Sequence, residues 1–139
     1  MGLWSFVSVC WEDDMEKNIR HKENLVYKIL TVAEWREIEI AEKILLSDLD
    51  RASGFVHLST PEQLLETCRR YFQAEEELLA IEIETQKLGE ELRWETVAAR
   101  DHQKFPHLYR ELHFSDIQAL QYIRLENANW IFGKRVVWE

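Results

Sequence analysis

The chain has 139 residues, 46% of them hydrophobic, with six Trp against four Gly and two Pro; it suits one compact domain, with no room for a second and no linker or disordered composition. A formal net charge of −9 weighs against sequence-independent binding to nucleic acid and to anionic membranes, both of which draw on clustered Lys and Arg. Cys10 and Cys68 have no metal-like spacing and read as reduced thiols in a cytoplasmic setting.

Residues 1–24 form an N-terminal extension, an apolar arm over Leu3–Trp11 followed by a charged piece over Glu12–His21, with Met15 as an alternative start. The arm is too short to span a membrane and lacks the basic flank of a signal peptide. Leu25–Leu30 has the β-branched and aromatic content of a strand, and Thr31 with Glu34 supplies the start of a helix that keeps its spacing to about Lys43. Asp48–Gly54 reads as a polar loop.

Phe55–Ser59 then reads as a short strand, with Phe55, His57 and Ser59 on one face and Val56 and Leu58 on the other. Thr60 is a good N-cap and Pro61 suits the first helical position, so a helix follows at once, with Leu64, Leu65, Cys68, Tyr71 and Phe72 along one face.

Strands are expected at Leu78–Glu84 and Leu92–Val97. A short helical turn over Thr85–Gly89 separates them. A polar loop over Ala98–Lys104 leads into an extended Phe105–Leu112, and Ile117–Leu125 forms a last strand. The tail over 126–139 carries Trp130, Ile131, Phe132, Val136, Val137 and Trp138, too apolar to be free. It packs on the 25–125 domain or on a partner, a homodimer included. Two early helices followed mostly by strands give an α+β single domain with a bent or split, mainly antiparallel sheet.

Polar pairs at spacing two mark the strands: His57 with Ser59, Arg93 with Glu95, and His107 with Tyr109, with Lys28 beside Tyr27 on the first strand. Converging on one cleft, they offer cations, imidazoles, an aromatic surface and a carboxylate. The plainer alternatives are structural histidines at His57 and His107, a surface ion pair between Glu95 and Arg93 or Arg110, and core positions for Trp94 and Tyr109. His102, His107 and His113 lack an acidic or Cys partner to complete a zinc pattern, so no metal is expected.

The segments Leu25–Leu30, Gly54–Gln63, Leu92–Glu95 and Phe105–Tyr109, in this order, resemble the DUF952 family of small proteins of unknown function over roughly residues 25–120. The resemblance implies a fold similar to that of the ADP-ribosyltransferases, which bind NAD as substrate in the cleft of a split sheet. Carried onto this chain, it implies Glu95 and His57 as catalytic residues, with Lys28, Ser59, Arg93, Trp94, His107 and Tyr109 as ligand contacts. A transferase carboxylate stabilises the positive charge that develops on the ribose as nicotinamide leaves. The chain departs from His-containing transferases in having Tyr27-Lys28 where their first strand carries a His, and a Lys holds a phosphate only as a point charge. The expectation is a small-ligand protein taking NAD or another nucleotide, with transferase activity open. The alternative is a non-enzymatic interaction module using its Trp-rich termini.

Overall fold

The computed structural model describes residues 24–138, so the apolar arm expected before them lies outside the described residues. The fold is α+β, a single domain of mostly antiparallel strands with few helices. Strand β1, Leu25–Thr31, has its five inner residues buried. Thr31 then caps α1, Val32–Ala41: its hydroxyl accepts the Glu34 N–H at 3.0 Å and the Glu34 carboxylate accepts the Thr31 N–H at 2.8 Å. The helix buries Trp35 and Ile38 and stops at Glu42, whose φ of 55° is left-handed.

Residues 48–53, expected as loop, form a third helix, α2 (Asp48–Ser53). The Ser47 hydroxyl accepts the Asp50 N–H at 3.1 Å, and Gly54, at φ 84°, closes the last turn with its N–H on the Asp50 carbonyl at 2.9 Å. An N-cap serine and a left-handed glycine with six residues between them are enough to close a short helix without an apolar stripe. Its purpose in the fold is to carry Asp50, which is 1% exposed, beneath β2 (Val56–His57).

α3, Pro61–Tyr71, starts as its sequence indicates: the Thr60 hydroxyl accepts the Gln63 N–H, and the Gln63 side chain accepts the Thr60 N–H. Leu64 and Cys68 are fully buried, whereas Tyr71, expected on the same face, is 59% exposed at the end of the helix. Burial pushes the Cys68 thiol up to about 12, so it stays protonated and inert.

The remaining strands are β3 (Glu77–Glu84), β4 (Leu92–Val97), β5 (Gln103–Leu108), β6 (Ala119–Glu126) and β7 (Asn129–Val137). They make two antiparallel sheets, one ordered β1-β3-β6-β7 and the other β2-β5-β4. The loop expected over 98–104 is shorter than its polarity suggests. A 3₁₀ turn at Ala98–Arg100 and left-handed Asp101 and His102 return the chain directly into β5 at Gln103.

The apolar tail is β7, paired with β6 through a two-residue turn, Asn127-Ala128, in which both φ values are positive. Beyond it, Trp138 sets its ring edge-on against Trp35 at 5.6 Å and Phe114 at 5.9 Å.

Where the two sheets meet, Tyr27 of β1 and Ser59 exchange backbone hydrogen bonds of 2.8 and 2.9 Å. This is the one residue pair bridging them among the described residues, and past it β1 and β2 part. Val26 and Leu30 of β1 join Val56 and Leu58 in the main core, while Tyr27 and Ile29 pack with Leu64 and Cys68 of α3. No helix among the described residues is long and apolar enough to cross a membrane.

Candidate functional site

The small sheet sets three side chains in one row. His57 of β2 lies directly opposite His107 of β5, and His107 lies opposite Arg93 of β4. Directly paired side chains on one face are in contact distance, and the two imidazoles are 5.5 Å apart between ring centroids, edge to face. Phe55 stacks on His107 at 4.1 Å and lies 4.6 Å from His57, wedging both rings in place.

Each imidazole is also held from behind by a carboxylate. Asp50 Oδ1 accepts from His57 Nδ1 at 2.7 Å and from the His57 backbone N–H at 3.1 Å, while its Oδ2 takes the Lys28 ammonium at 2.6 Å. Burial alone would push the Asp50 carboxyl up. The hydrogen bond from His57 and the charge of Lys28 outweigh it and hold the group below the ordinary aspartate value.

Glu95 Oε1 accepts from the Tyr109 hydroxyl at 2.7 Å and from His107 Nδ1 at 2.8 Å. These two bonds, Tyr109 first, hold the Glu95 carboxyl below its ordinary value, and the bond to Glu95 raises that of Tyr109. An ionised carboxylate can only accept, so both Nδ1 atoms carry a proton, which leaves each Nε2 as the ring nitrogen able to meet a bound molecule. Two carboxylate-anchored imidazoles side by side can accept or relay a proton at a bound molecule.

A cavity of about 440 Å³ opens in the gap between the sheets, in the size range of small-molecule sites. Its polar lining includes Lys28, His57, Ser59, Arg100 and His107, and its walls include Ile29, Phe72 and Phe105.

Of the residues singled out in the sequence, Lys28, His57, Ser59 and His107 line this cavity. Glu95 and Tyr109 do not. They stand behind His107, so Glu95 reaches the cavity through the imidazole rather than by its own carboxylate. Arg93 lays its guanidinium over the Tyr109 ring at 4.7 Å on the exposed side. Trp94, between Arg93 and Glu95 on a pleated strand, points to the opposite face, 43% exposed and away from the cavity.

Two residues were not singled out. Asp50 carries a sequence signal in Ser47-x-x-Asp50, a helix start that would have drawn attention to it. Arg100 carries none, because its partners Thr67 and Phe105 are assembled by the fold. No group of three or more His, Cys, Asp or Glu among the described residues is arranged to hold a metal ion.

The sequence matches a family model described as a protein of unknown function (DUF952) over residues 29–120, and no curated protein matches. Among solved structures, the chain is similar to the crystal structure of protein CC0527 from Caulobacter crescentus. The identity is 36%, the match covers 78% of this chain and 93% of that one, and the TM-score is 0.68. The solution NMR structure of CC0527 is similar at 37% identity over 76% of this chain and 90% of that one, with a TM-score of 0.66. Both are structural genomics targets. With a match over residues 29–120 that takes in the whole of β2, β4 and β5, the chain belongs to the DUF952 family.

Proposed function

We propose that the protein binds a small molecule bearing a flat heterocycle, a nucleotide of the NAD kind, in the cavity between its two sheets. The observation that carries this reading is the pair of carboxylate-anchored imidazoles on the wall of a largely apolar cavity of about 440 Å³. Apolar walls with a few converging polar groups are the usual make-up of small-ligand sites. The ADP-ribosyltransferase likeness belongs to this reading, since that fold also places its ligand where a sheet splits. Glu95 is then a positioning residue that fixes the His107 ring, and His57 is the group that meets the ligand. A cytoplasmic setting suits the free, buried thiol of Cys68.

Calorimetric titration of the full chain with NAD and with ADP-ribose tests the reading. Binding should occur in the wild type and weaken at least about tenfold in His57→Ala, the loss of one or more hydrogen bonds to the ligand. No heat at millimolar ligand, or equal affinity in the variant, rejects it.

A second reading, an interaction module, draws on the exposed apolar side chains of the β6–β7 hairpin, where Leu125, Phe132, Val136 and Val137 are each at least 37% exposed. It expects a dimer by light scattering at micromolar concentration, converted to monomer by Phe132→Lys. A monomeric wild type counts against it.

A further inference from the structure

We propose that Arg100 forms an anion subsite, taking a phosphate of the bound molecule at the end of the cavity away from the two imidazoles. This deepens the small-ligand reading above and rests on the same cavity. Arg100 is 5% exposed and lines it, yet no carboxylate among the described residues lies within ion-pair distance of its guanidinium. The other buried cation, Lys28, is matched by Asp50 at 2.6 Å, and the half-buried Arg110 is matched by Asp116 at 2.9 Å. The carboxylate on the neighbouring turn of α3, Glu66, is held by Arg69 and Arg70 instead. In a chain with 26 acidic and 17 basic residues, a buried guanidinium without a counter-ion among the described residues runs against the whole composition.

Burying a charge without a partner is expensive, and the few neighbours of Arg100 offset it only in part. One guanidinium nitrogen donates to the Thr67 hydroxyl at 3.1 Å, and the plane lies 4.6 Å above the Phe105 ring and 5.8 Å from Tyr71. A guanidinium has five N–H donors, and this one has a single hydrogen bond among the described residues. No buried side-chain nitrogen or oxygen there lacks a partner, so the remaining guanidinium nitrogens border open space. The cavity that Arg100 lines is that space. A planar donor fork clamped by an aromatic face and a hydroxyl is prepared to grip an oxyanion through two bonds.

The spacing along β5 sets the size of the ligand. Phe105, under the guanidinium, and His107 are two residues apart on one face of the strand, about 7 Å. The molecule that satisfies both ends carries a phosphate at Arg100 and, about a sugar's length away, the group that meets the imidazoles. That is a nucleotide or a sugar phosphate rather than a free base.

The test uses the full chain as wild type, Arg100→Gln and Arg100→Lys, with inorganic phosphate, acetate and ADP-ribose as probes at constant ionic strength, read by thermal shift and calorimetry. Phosphate and ADP-ribose should bind the wild type. Affinity should fall about ten- to a hundredfold in Arg100→Gln and less in Arg100→Lys, which keeps the charge without the fork. Acetate binding as tightly as phosphate would overturn the assignment to a phosphate. A wild type blind to phosphate, or variants that bind as the wild type does, would overturn the subsite itself. ADP-ribose bound equally by wild type and Arg100→Gln would remove the subsite and leave the cavity reading standing. Phosphate binding lost in Arg100→Gln, with ADP-ribose ignored by all three proteins, would keep the subsite and reject the nucleotide.

Discussion

Asp50→Ala is expected to lower the unfolding free energy by about 3–5 kcal/mol, the usual cost of removing one partner from a buried ion pair. Its carboxylate is 1% exposed and is the common acceptor for Lys28 and for both the ring and the backbone N–H of His57. Truncation leaves the Lys28 ammonium, itself 8% exposed, with no counter-charge, and frees the His57 ring from its anchored tautomer. Urea titration reads the first effect, and the NAD titration reads the second as lost binding.

Replacing the pair together, as Lys28→Met with Asp50→Leu, should recover much of the stability while leaving the ligand unbound, because a well-packed apolar pair can stand in for a buried ion pair. The acid side gives an independent check. The folded-state value of Asp50 is depressed, so its contribution is fully present above the unfolded value of about 3.9 and is lost as pH falls through the lower folded one. Asp50→Asn should lack this component of the acid transition. A loss under 1 kcal/mol in Asp50→Ala would mean that Lys28 finds other solvation and that the pair is not a structural unit.

Asp50 also shows where the sequence signal is thin: Ser47-x-x-Asp50 marks a helix start but not a buried carboxylate. Strand periodicity correctly turned His57 and Ser59 away from Val56 and Leu58, and the capping residues Thr31 and Thr60 marked both longer helices, because those signals are local. A six-residue helix covers fewer than two turns at about 3.6 residues each, so α2 has no stripe to read, and a buried aspartate in it looks like a polar loop residue.

Arg100 fails to stand out for a related reason: its burial depends on Thr67, 33 positions away, and on the return of the chain into β5. Glu95 was legible as a same-face partner of Arg93, but its place behind His107 is a matter of register between β4 and β5. Trp94 is the clearest divergence, since the alternation that groups Arg93 with Glu95 also sends Trp94 to the other face. The β6–β7 hairpin was hidden because its turn uses Ala128 at φ 67°, where glycine is the usual signal.

Glu82→Leu is expected to cost about as much as Asp50→Ala, roughly 3–5 kcal/mol, but to act within the four-stranded sheet. Glu82 sits in the middle of β3, 1% exposed, and its two oxygens accept from Tyr27 Oη at 3.0 Å, Gln118 Nε2 at 2.9 Å, and Arg135 Nε and Nη2 at 3.0 and 2.6 Å. Burial first, and then the nearby charge of Glu82, raises the Tyr27 phenol far beyond its ordinary value, so it remains a donor at any working pH. The Glu82 hydrogen bond likewise raises the Arg135 guanidinium.

One carboxylate therefore ties β1, β3, the approach to β6 and the final strand β7. Side-chain burial does little to hold the second half of β7, since Lys134, Arg135, Val136 and Val137 are all exposed. An apolar side chain at position 82 strands the donors of three residues at once, and the strand it releases first should be β7. Hydrogen exchange should thus accelerate at the β6–β7 pairing around Gln121 and Arg135 before it does at β1–β3. Glu82→Gln, which keeps the shape and loses the charge, should show the same order with a smaller loss. Uniform acceleration across both pairings would place Glu82 in the global core instead, and the last strand would then be held by Trp130 and Trp138 rather than by a buried charge.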